Sequence, residues 1–506
     1  MSDGGTTGGL PPGWAWARLG DLAANEPNAM TDGPFGSKLK SEHYREEGIR
    51  VVRLGNIGLG RFIDQDKAFV DRSRAEELQK HRCFEGDLLI AALAEPVGRC
   101  AMVPTGLGDA IVKADCIRMN VHGELDPRYV ALALNSPAGL ARTALSSHGI
   151  GRLRINLGEL KGVRIPTAPA EEQRRIVAKL DELLSRSRAA REALDAVPAM
   201  LEQYRKSVLA AAFRGELTAE WRAERRQTPL SECPNGRERP PRPARYDTRS
   251  RSVIPGDFAL SVGMPDLPAP PEWRWTPLVD VARLESGHTP SRNHPEWWGG
   301  DVPWIGIRDA RIHHGSTIME TEQSTNDAGL ANSAARLLPA GTVCLSRTAS
   351  VGYVVVMGRP MATSQDFVNW VCTRSVDPHW LKCLFLAEHD AIWRFGKGST
   401  HTTVYFPEVL SFHVCLPPLE EQHEIVRRVE VALARIERVK AAVEAQRAQL
   451  DALDRAILDK AFRGELVPQD PNDEPAAVML ARLRAEREGS EATAPRRGRF
   501  AKRSQT

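Results

Sequence analysis

The sequence predicts an α+β protein in which two globular mixed α/β domains are separated by two long helices. These helices are expected to form an antiparallel coiled coil with pseudo-twofold symmetry. Three observations lead to this fold class. The chain has 506 residues, which is too long for one domain. A segment of 47 residues occurs twice, and both copies carry apolar residues at helical spacing.

The repeat is defined by short phrases that return at fixed separations. Three phrases occur twice: EEQ at 171–173 and 420–422, AFRGEL at 212–217 and 461–466, and PPxWxW at 11–16 and 270–275. The first two are displaced by 249 residues, and residues 171–217 share 18 identities with residues 420–466, which indicates a duplication. The third is displaced by 259 residues. The repeated unit is therefore constant at its ends and variable in its middle.

Both copies of the 47-residue segment are predicted to be helices with one apolar seam each. The seam residues are Ile176, Leu180, Leu183, Leu194 and Leu201 in the first copy and Ile425, Val429, Ile436, Val443 and Leu450 in the second. One seam alone is explained by packing of a helix on its own domain. Two copies in the same register, separated by a whole domain, favour antiparallel pairing of the helices with each other.

Proline and glycine mark the ends of these helices. Pro169 and Pro418 precede the EEQ phrases and suit helix starts, and Gly215 and Gly464 suit helix stops. Pro198 lies inside the first copy and has no proline opposite it in the second. We expect a kink or break there, because proline removes a helical hydrogen bond.

The repeat divides the chain into seven segments. These are a disordered N-terminus (1–11), a first variable domain (12–165), a first repeated helix (166–218), an Arg/Pro-rich linker (219–269), a second variable domain (270–414), a second repeated helix (415–467) and a disordered basic tail (468–506). The linker has nine arginines among residues 222–252, with prolines between them. Such a run is usually solvated, and contact with DNA phosphates is the alternative.

Bulk composition restricts the classes of function. The net charge is only +3, so any nucleic-acid footprint is local and not spread over the whole surface. The eight cysteines have no CxxC spacing, which indicates thiols in a reducing compartment without a zinc site or a disulfide framework. Neither a signal pattern nor an apolar run of membrane length is present, so a cytoplasmic protein without membrane contact is expected.

Catalytic and cofactor motifs are missing from the sequence. The prolines that occur in pairs are not framed as in the Asp/Asn-Pro-Pro-aromatic loop of adenine methyltransferases, and Gly396-Lys397-Gly398-Ser399 lacks the spacing of an ATP-binding loop. There is no HExxH, and the isolated pair His313-His314 fits a polar turn better than a metal site. We therefore expect no catalytic residue, no metal and no cofactor on this chain.

The variable domains carry the phrases DGPFGSKLK (32–40) and RLGNI (53–57) in the first, and GHTPS (287–291) and WWGGDVPWI (297–305) in the second. With the helix openings PAEEQ and PPLEEQ, these phrases resemble the specificity subunits of type I restriction–modification enzymes. The resemblance covers nearly the whole chain apart from the linker and the tail. Each phrase alone is weak, but their order, found twice, is specific.

The resemblance implies a non-catalytic, DNA-binding subunit of a DNA adenine methyltransferase and ATP-dependent type I restriction endonuclease. Each variable domain would be a target-recognition domain that reads one half of a bipartite double-stranded DNA target, with the paired helices setting the spacer. Two methyltransferase subunits would dock on the helices, and motor–nuclease subunits would join them. S-adenosylmethionine, ATP and Mg²⁺ would then belong to the partner subunits.

Candidate DNA-binding residues are chosen by side-chain chemistry, because Arg and Lys suit guanine or phosphate and Asn suits adenine. They are Lys38, Lys40, His43, Asn56, Arg61, His148, Arg152 and Arg154 in the first domain, and Arg292, Asn293, His294, Arg308, Arg347, Lys397, Thr400 and His401 in the second. Ordinary surface solvation is the alternative for each. Phe35 and the Trp297-Trp298 pair are candidates for base stacking, although core packing is the commoner role of aromatic residues.

Two rival functions remain open at this point. The first is an enzyme whose catalytic motif is not recognisable, and it predicts that the purified chain alone cleaves or methylates DNA. The second is a structural adaptor whose variable domains bind other proteins. Salt-sensitive binding of duplex DNA with a bipartite preference distinguishes the specificity subunit from the adaptor.

Overall fold

The computed structural model describes residues 9–34, 38–149, 151–225, 260–262, 269–348, 350–395 and 402–493. These residues belong to two compact units. The first unit comprises residues 1–195 and 445–506, and the second comprises residues 196–444. Each unit contains one mixed α/β domain and parts of both long helices, so neither long helix belongs to a single unit.

The domain of the first unit is built from eleven described strands and four described helices. The strands are β1 (Ala15–Arg18), β2 (Met30–Asp32), β3 (Tyr44–Arg45), β4 (Ile49–Val52), β5 (Phe69–Val70), β6 (Arg82–Cys83), β7 (Leu88–Ala91), β8 (Cys100–Met102), β9 (Ala110–Val112), β10 (Cys116–Met119) and β11 (Arg164–Thr167). The helices are α1 (Arg72–Glu77), α2 (Pro127–Asn135), α3 (Pro137–Leu145) and α4 (Leu157–Gly162). All four residues of β7 are buried, which explains the continuous apolar run in its sequence.

The first long helix, α5 (Ala170–Phe213), and the short helix α6 (Ala219–Arg225) follow. The strands of the second domain are β12 (Leu260–Val262), β13 (Arg274–Pro277), β14 (Ala282–Ser286), β15 (Trp298–Ile305), β16 (Thr317–Ile318), β17 (Gln323–Thr325), β18 (Val343–Ser346), β19 (Val354–Met357), β20 (Ala362–Thr363), β21 (Phe367–Cys372) and β22 (Phe412–Leu416). Its helices are α7 (Leu278–Val281), α8 (Ile307–Ile312), α9 (Asp327–Ala331), α10 (Pro378–Ala387), α11 (His389–Ile392) and α12 (Phe406–Leu410). The second long helix, α13 (Leu419–Phe462), and a final helix, α14 (Ala476–Thr493), complete the described chain.

The two domains share their sheet topology. One sheet has the order β2-β10-β7-β8 in the first domain, and β14-β21-β18-β19 is the matching order in the second, where β16 is added at the edge. A second sheet pairs β4 with β5 antiparallel and with β9 parallel, and β15 pairs with β17 and β20 in the same directions. The strands at the ends of each domain also pair, β1 with β11 and β13 with β22. The duplication seen in the repeated phrases therefore extends to the variable interiors.

The predicted long helices are confirmed, and each has 44 residues. In the first unit Arg191 forms ion pairs with Asp451 and Asp454, while Asp195 pairs with Arg447 four residues earlier on the second helix. Rising numbers on one helix thus meet falling numbers on the other, which makes the pairing antiparallel. In the second unit the end of α5 reaches the start of α13 in the same sense, with Val208 and Leu209 in one core with Val426 and Val429.

The structure corrects one expectation about the helices and one about the tail. Helix α5 continues through Pro198, so the expected break is wrong, while the kink stays a prediction. Residues 476–493, expected to be part of a disordered tail, form α14. Its apolar face is buried in the core of the first unit through Ala476, Met479, Leu480 and Leu483. The spacing of these four residues is that of an amphipathic helix, and the surrounding arginines obscured it.

The Arg/Pro-rich linker also contains regular structure at both ends. Helix α6 buries Trp221, and β12 pairs parallel with β22 of the second domain. Residues 226–259 and 263–268 of this linker, residues 1–8 of the expected disordered N-terminus and residues 494–506 of the tail lie outside the described residues. No described helix has an apolar stretch long enough to cross a membrane.

Candidate nucleic-acid interface

Three loops of the first domain meet at the turn between β9 and β10, residues 113–115. The loop after β2 begins at Gly33, where an added Cβ would lie 2.1 Å from the carbonyl oxygen of Lys113, so only glycine fits. The β7–β8 loop attaches through the Ala92 amide, which donates to the carbonyl of Asp115 at 2.9 Å. The third loop, residues 147–154, attaches through Arg154, whose guanidinium lies 2.9 Å from the Asp115 carboxylate. We call the surface formed by these loops the first loop face.

The second domain repeats this arrangement at its β20–β21 turn, residues 364–366. An added Cβ at Gly287 would lie 1.9 Å from the carbonyl oxygen of Ser364, so the loop after β14 also begins at an obligatory glycine. The Arg347 amide, in the β18–β19 loop, donates to the Asp366 carbonyl at 2.7 Å, and the Val404 amide donates to the Arg347 carbonyl at 2.9 Å. These loops form the second loop face. The loop glycines were visible in the sequence, but the turn aspartates Asp115 and Asp366 were missed.

Most candidate residues of the first domain lie on or beside the first loop face. Lys38, Lys40, Arg61, His148 and Arg152 are exposed, and His43 and Arg154 are half-buried. Two histidines have local partners: the His43 ring accepts from the Lys40 amide at 3.0 Å, and the His148 ring lies 3.2 Å from Glu159. Lys38, Lys40 and Arg152 are thus exposed cations on the loops of this face, which suits binding of a polyanion.

Asn56 is a correction to this set. It is only 2% exposed, its side-chain oxygen accepts from the Arg53 amide at 2.9 Å, and its side-chain nitrogen donates to the carbonyls of Ile63 and Gln65. These bonds hold a turn, so the amide is not available to a base in this conformation. In the second domain Asp309 has the same place, accepting from the Gly306 amide at 2.9 Å. The polar residue type at this position is therefore explained by turn capping.

In the second domain Arg292, Asn293, His294 and Arg308 are exposed, and Arg347 is half-buried. Arg308 lies 2.5 Å from the Glu322 carboxylate. The Arg347 guanidinium lies 4.8 Å from the centre of the Phe406 ring and donates to the Gln365 carbonyl, and burial lowers the pKa of Arg347. Lys397, Thr400 and His401, together with Phe35 of the first domain, lie outside the described residues.

The tryptophan pair of the second domain is half-buried under the loop after β14. His294 stacks on Trp297 with ring centres 4.1 Å apart, and Trp298 meets the ring of Trp304 edge-on at 5.2 Å. Both Trp298 and Trp304 donate from the indole nitrogen to carbonyls of this loop, Ser291 at 3.3 Å and His288 at 3.1 Å. The aromatic residues therefore fix the loop backbone.

The predicted seam residues occupy different depths. Ile176 and Leu180 are buried in the core of the first unit, and Ile425 and Val429 are buried in the core of the second. Ile436 and Val443 are also buried, while Leu183, Leu194, Leu201 and Leu450 are half-buried. The seam residues near the start of each helix are therefore buried in a domain core, and the last seam residues of each helix are only half-buried.

The three repeated phrases come together in each unit, which the sequence alone did not indicate. In the first unit the Trp14 indole donates to Glu172 at 3.0 Å, and an added Cβ at Gly464 would lie 2.4 Å from the Pro11 ring. In the second unit Trp273 donates to Glu421 at 2.9 Å, and an added Cβ at Gly215 would lie 2.3 Å from the Pro270 ring. We call each set a helix joint. The joint fixes the start of one long helix, the end of the other and the first strand of the domain.

The glutamine of each EEQ phrase extends the joint to a domain helix. Gln173 accepts from the amide of Asp126, which caps α2, and Gln422 accepts from the amide of Asp377, which caps α10. The phenylalanine of each AFRGEL phrase packs edge-on against an aromatic residue of the same domain helix: Phe462 on Tyr129 at 5.3 Å, and Phe213 on Trp380 at 5.9 Å. Every repeated phrase therefore serves the attachment of domain to helix.

Other reactive groups are used structurally. His314 accepts from the Val354 amide at 3.1 Å, and burial lowers the pKa of its ring to about 4. Cysteines 83, 100, 116, 344, 372, 383 and 415 are free thiols, and burial raises the pKa of Cys83 to about 12, far from a reactive thiolate. Within the described ranges no three His, Cys, Asp or Glu residues are grouped so as to hold a metal ion.

Comparison with known proteins finds similarity to the specificity subunits of type I restriction enzymes. The family model for the type I restriction modification DNA specificity domain matches residues 270–445. The EcoKI specificity subunit of Escherichia coli strain K12 is 23% identical over 96% of this chain and 98% of its own length. The StySPI specificity subunit of Salmonella potsdam is 22% identical over 95% of this chain and 96% of its own length.

Solved structures share the fold. A structure that describes complex assembly and conformational transition of the type I R-M system superposes with a TM-score of 0.62 and 21% identity, covering 90% of this chain and 99% of that one. The HsdS subunit from Thermoanaerobacter tengcongensis gives a TM-score of 0.53 and 20% identity, covering 91% and 99%. Residues 270–445 therefore match the type I restriction modification DNA specificity domain, and nearly the whole chain is similar to specificity subunits of type I restriction enzymes.

Proposed function

We propose that each domain reads one half of a bipartite double-stranded DNA target through its loop face. The observation that carries this proposal is the duplication of the loop face, with an obligatory glycine and a turn aspartate whose carbonyl accepts from the amide of a neighbouring loop in both domains. The loops between these shared points differ in length and sequence. A constant frame with variable loops is what two readers of different half-sites require.

The chemistry of the loop faces fits duplex DNA. Exposed lysines and arginines around the first loop face pair with phosphates, and Arg292 and Asn293 on the second are the side-chain types that read guanine and adenine. Because the net charge of the chain is only +3, the attraction for DNA is local to the loop faces and is not spread over the whole surface. Binding therefore weakens steeply as salt rises, because phosphate contacts release counterions.

The long helices have two further roles in this proposal: they set the distance between the half-sites, and they dock two methyltransferase subunits. Large apolar side chains stay exposed on them, among them Met200 at 66%, Val431 at 57% and Leu453 at 51%, which suits a surface that a partner covers. Motor–nuclease subunits join for cleavage. S-adenosylmethionine, ATP and Mg²⁺ bind to these partner subunits.

Genome-wide mapping of methylated adenines, with and without this chain, tests the proposal. We expect a split motif with a fixed gap that appears only when the chain and its methyltransferase partner are both expressed. Replacing residues 12–165 by another such domain changes one half of the motif and leaves the other half intact. If both halves change together, or if the chain alone methylates DNA, the proposal is wrong.

A further inference from the structure

Arg292 on the second loop face is held in one orientation by its neighbours. Its guanidinium carbon lies 3.9 Å from the centre of the Trp298 ring and 5.3 Å from the centre of the Trp304 ring. Its Nη2 donates to the side-chain oxygen of Gln323 at 2.7 Å. The indoles are themselves hydrogen-bonded to the loop that carries Arg292, through Ser291 and His288. The Arg292 side chain, the two indole rings on which it stacks and the loop after β14 thus hold one another in place.

This degree of fixation distinguishes Arg292 from the other candidate arginines of its domain. Arg308 is neutralised by the carboxylate of Glu322 at 2.5 Å. Arg347 is half-buried, and its Nη2 is bonded to the Gln365 carbonyl. Arg292 is exposed, and its polar partner is a neutral amide, so it keeps its full positive charge at the surface. It presents a charged fork whose plane is set before any ligand arrives.

The oxygens of a phosphate also accept from an arginine fork, but they do so over many orientations of the guanidinium. The N7 and O6 acceptors of guanine lie in one plane and match a guanidinium presented in that plane. Prior stacking removes part of the entropy cost of fixing a long side chain on binding. The fixed orientation of the Arg292 guanidinium therefore favours contact with a DNA base over contact with the phosphate backbone of DNA.

We infer that Arg292 reads a guanine in the major groove, in the half-site recognised by the second domain, and that Trp298 and Gln323 are its positioning residues. The inference rests on the proposed function and adds one base to it. One guanine position of that half-site is then specified by Arg292, and the half-site read by the first domain is independent of it.

The test compares four chains, each expressed with the methyltransferase partner: wild type, Arg292→Lys, Arg292→Ala and Gln323→Ala. Arg311→Lys is the matched control, an exposed arginine in the last turn of α8 and not part of the loop after β14. We expect Arg292→Ala to accept other bases at one position of the second half-site, with a loss of discrimination of roughly 5- to 100-fold there, and Arg292→Lys to lose less, because lysine also donates to guanine. Gln323→Ala gives a smaller loss at the same position.

Purified complexes provide the second measurement. Replacing that guanine by 7-deazaguanine, which lacks the N7 acceptor, weakens wild-type binding but leaves binding by Arg292→Ala unchanged, because the contact is already lost. If Arg292→Ala keeps the motif, or if all positions weaken equally, Arg292 does not read the guanine and the inference is wrong. A wild-type second half-site without guanine also overturns it. Absence of any split motif in wild type overturns the proposed function instead.

Discussion

The two helix joints share one hydrogen bond but differ in how the buried carboxylate is compensated. In both, an indole donates to the second glutamate of the EEQ phrase, Trp14 to Glu172 and Trp273 to Glu421. Glu421 also accepts from the Thr218 hydroxyl at 2.7 Å and forms an ion pair with Arg222. Its charge is therefore matched at a site with no solvent exposure.

Glu172 lacks these two partners. The positions that correspond to Thr218 and Arg222 in the repeat are Val467 and Pro471, and neither has a polar side chain. Arg175 is nearby but pairs with Asp473 at 2.6 Å, and Glu172 Oε1 is buried without a described hydrogen-bond partner. Burial raises the pKa of Glu172. The two helix joints thus share their geometry but differ in their electrostatics. The second joint needs the ion pair between Arg222 and Glu421, whereas in the first joint the charge of Glu172 is buried without a described ion-pair partner.

The largest difference in stability between the two units is expected when Arg222, the ion-pair partner of Glu421, is replaced. Arg222→Met leaves the Glu421 carboxylate buried with neutral donors only, and we expect the second unit to lose about 3 kcal/mol of unfolding free energy. Urea unfolding of the full chain, followed by hydrogen exchange resolved to each unit, measures this loss. Arg274→Met, at an exposed position of the same unit, is the control and changes little. Equal loss of protection in both units would contradict the comparison.

A smaller difference is expected at the glutamines. Gln422 bonds to the Asp377 amide at 2.8 Å and to the carbonyls of Ser375 and Pro417 at 2.9 Å each. Gln173 makes two bonds, one of them long at 3.3 Å. Gln422→Leu is therefore expected to cost about 2 kcal/mol and Gln173→Leu about 1 kcal/mol. Chemical denaturation of the two variants compares these values directly, and a reversed order would show that bond number does not control the joint.

The long helices could be predicted from the sequence, but the contacts made in the helix joints could not. The constant 249-residue displacement and the three-four spacing predict both 44-residue helices, because periodicity is a local property of the chain. The role of the repeated phrases was not predictable. Trp14 meets Glu172 across 158 residues, and Gly464 meets Pro11 across most of the chain, so no local pattern links them.

The site residues divide in the same way. Loop glycines such as Gly33 and Gly287 are visible because their neighbours are turn-forming, whereas Asp115 and Asp366 look like ordinary surface aspartates in the sequence. Asn56 has the right chemistry for adenine, but its capping role depends on a turn that only the folded backbone defines. Side-chain type predicts what a residue is able to bind, and burial decides whether it is available.

The smallest expected change in unfolding free energy is a stabilisation, opposite in sign to the losses predicted above. It concerns the buried glutamate of the first helix joint. Because burial raises the pKa of Glu172, the folded first unit binds this proton more tightly than the unfolded chain does. The associated stability is present below the unfolded pKa and is lost as the pH rises through the folded pKa. Glu172→Gln keeps an acceptor for Trp14 and carries no charge, so near neutral pH it is expected to stabilise the first unit by about 1 kcal/mol, with little effect in acid. Glu421→Gln is expected to destabilise the second unit at neutral pH, since Arg222 then loses its carboxylate. Unfolding free energies of both variants at acidic and neutral pH check this pair, and two changes of the same sign would mean that the joints are electrostatically equivalent.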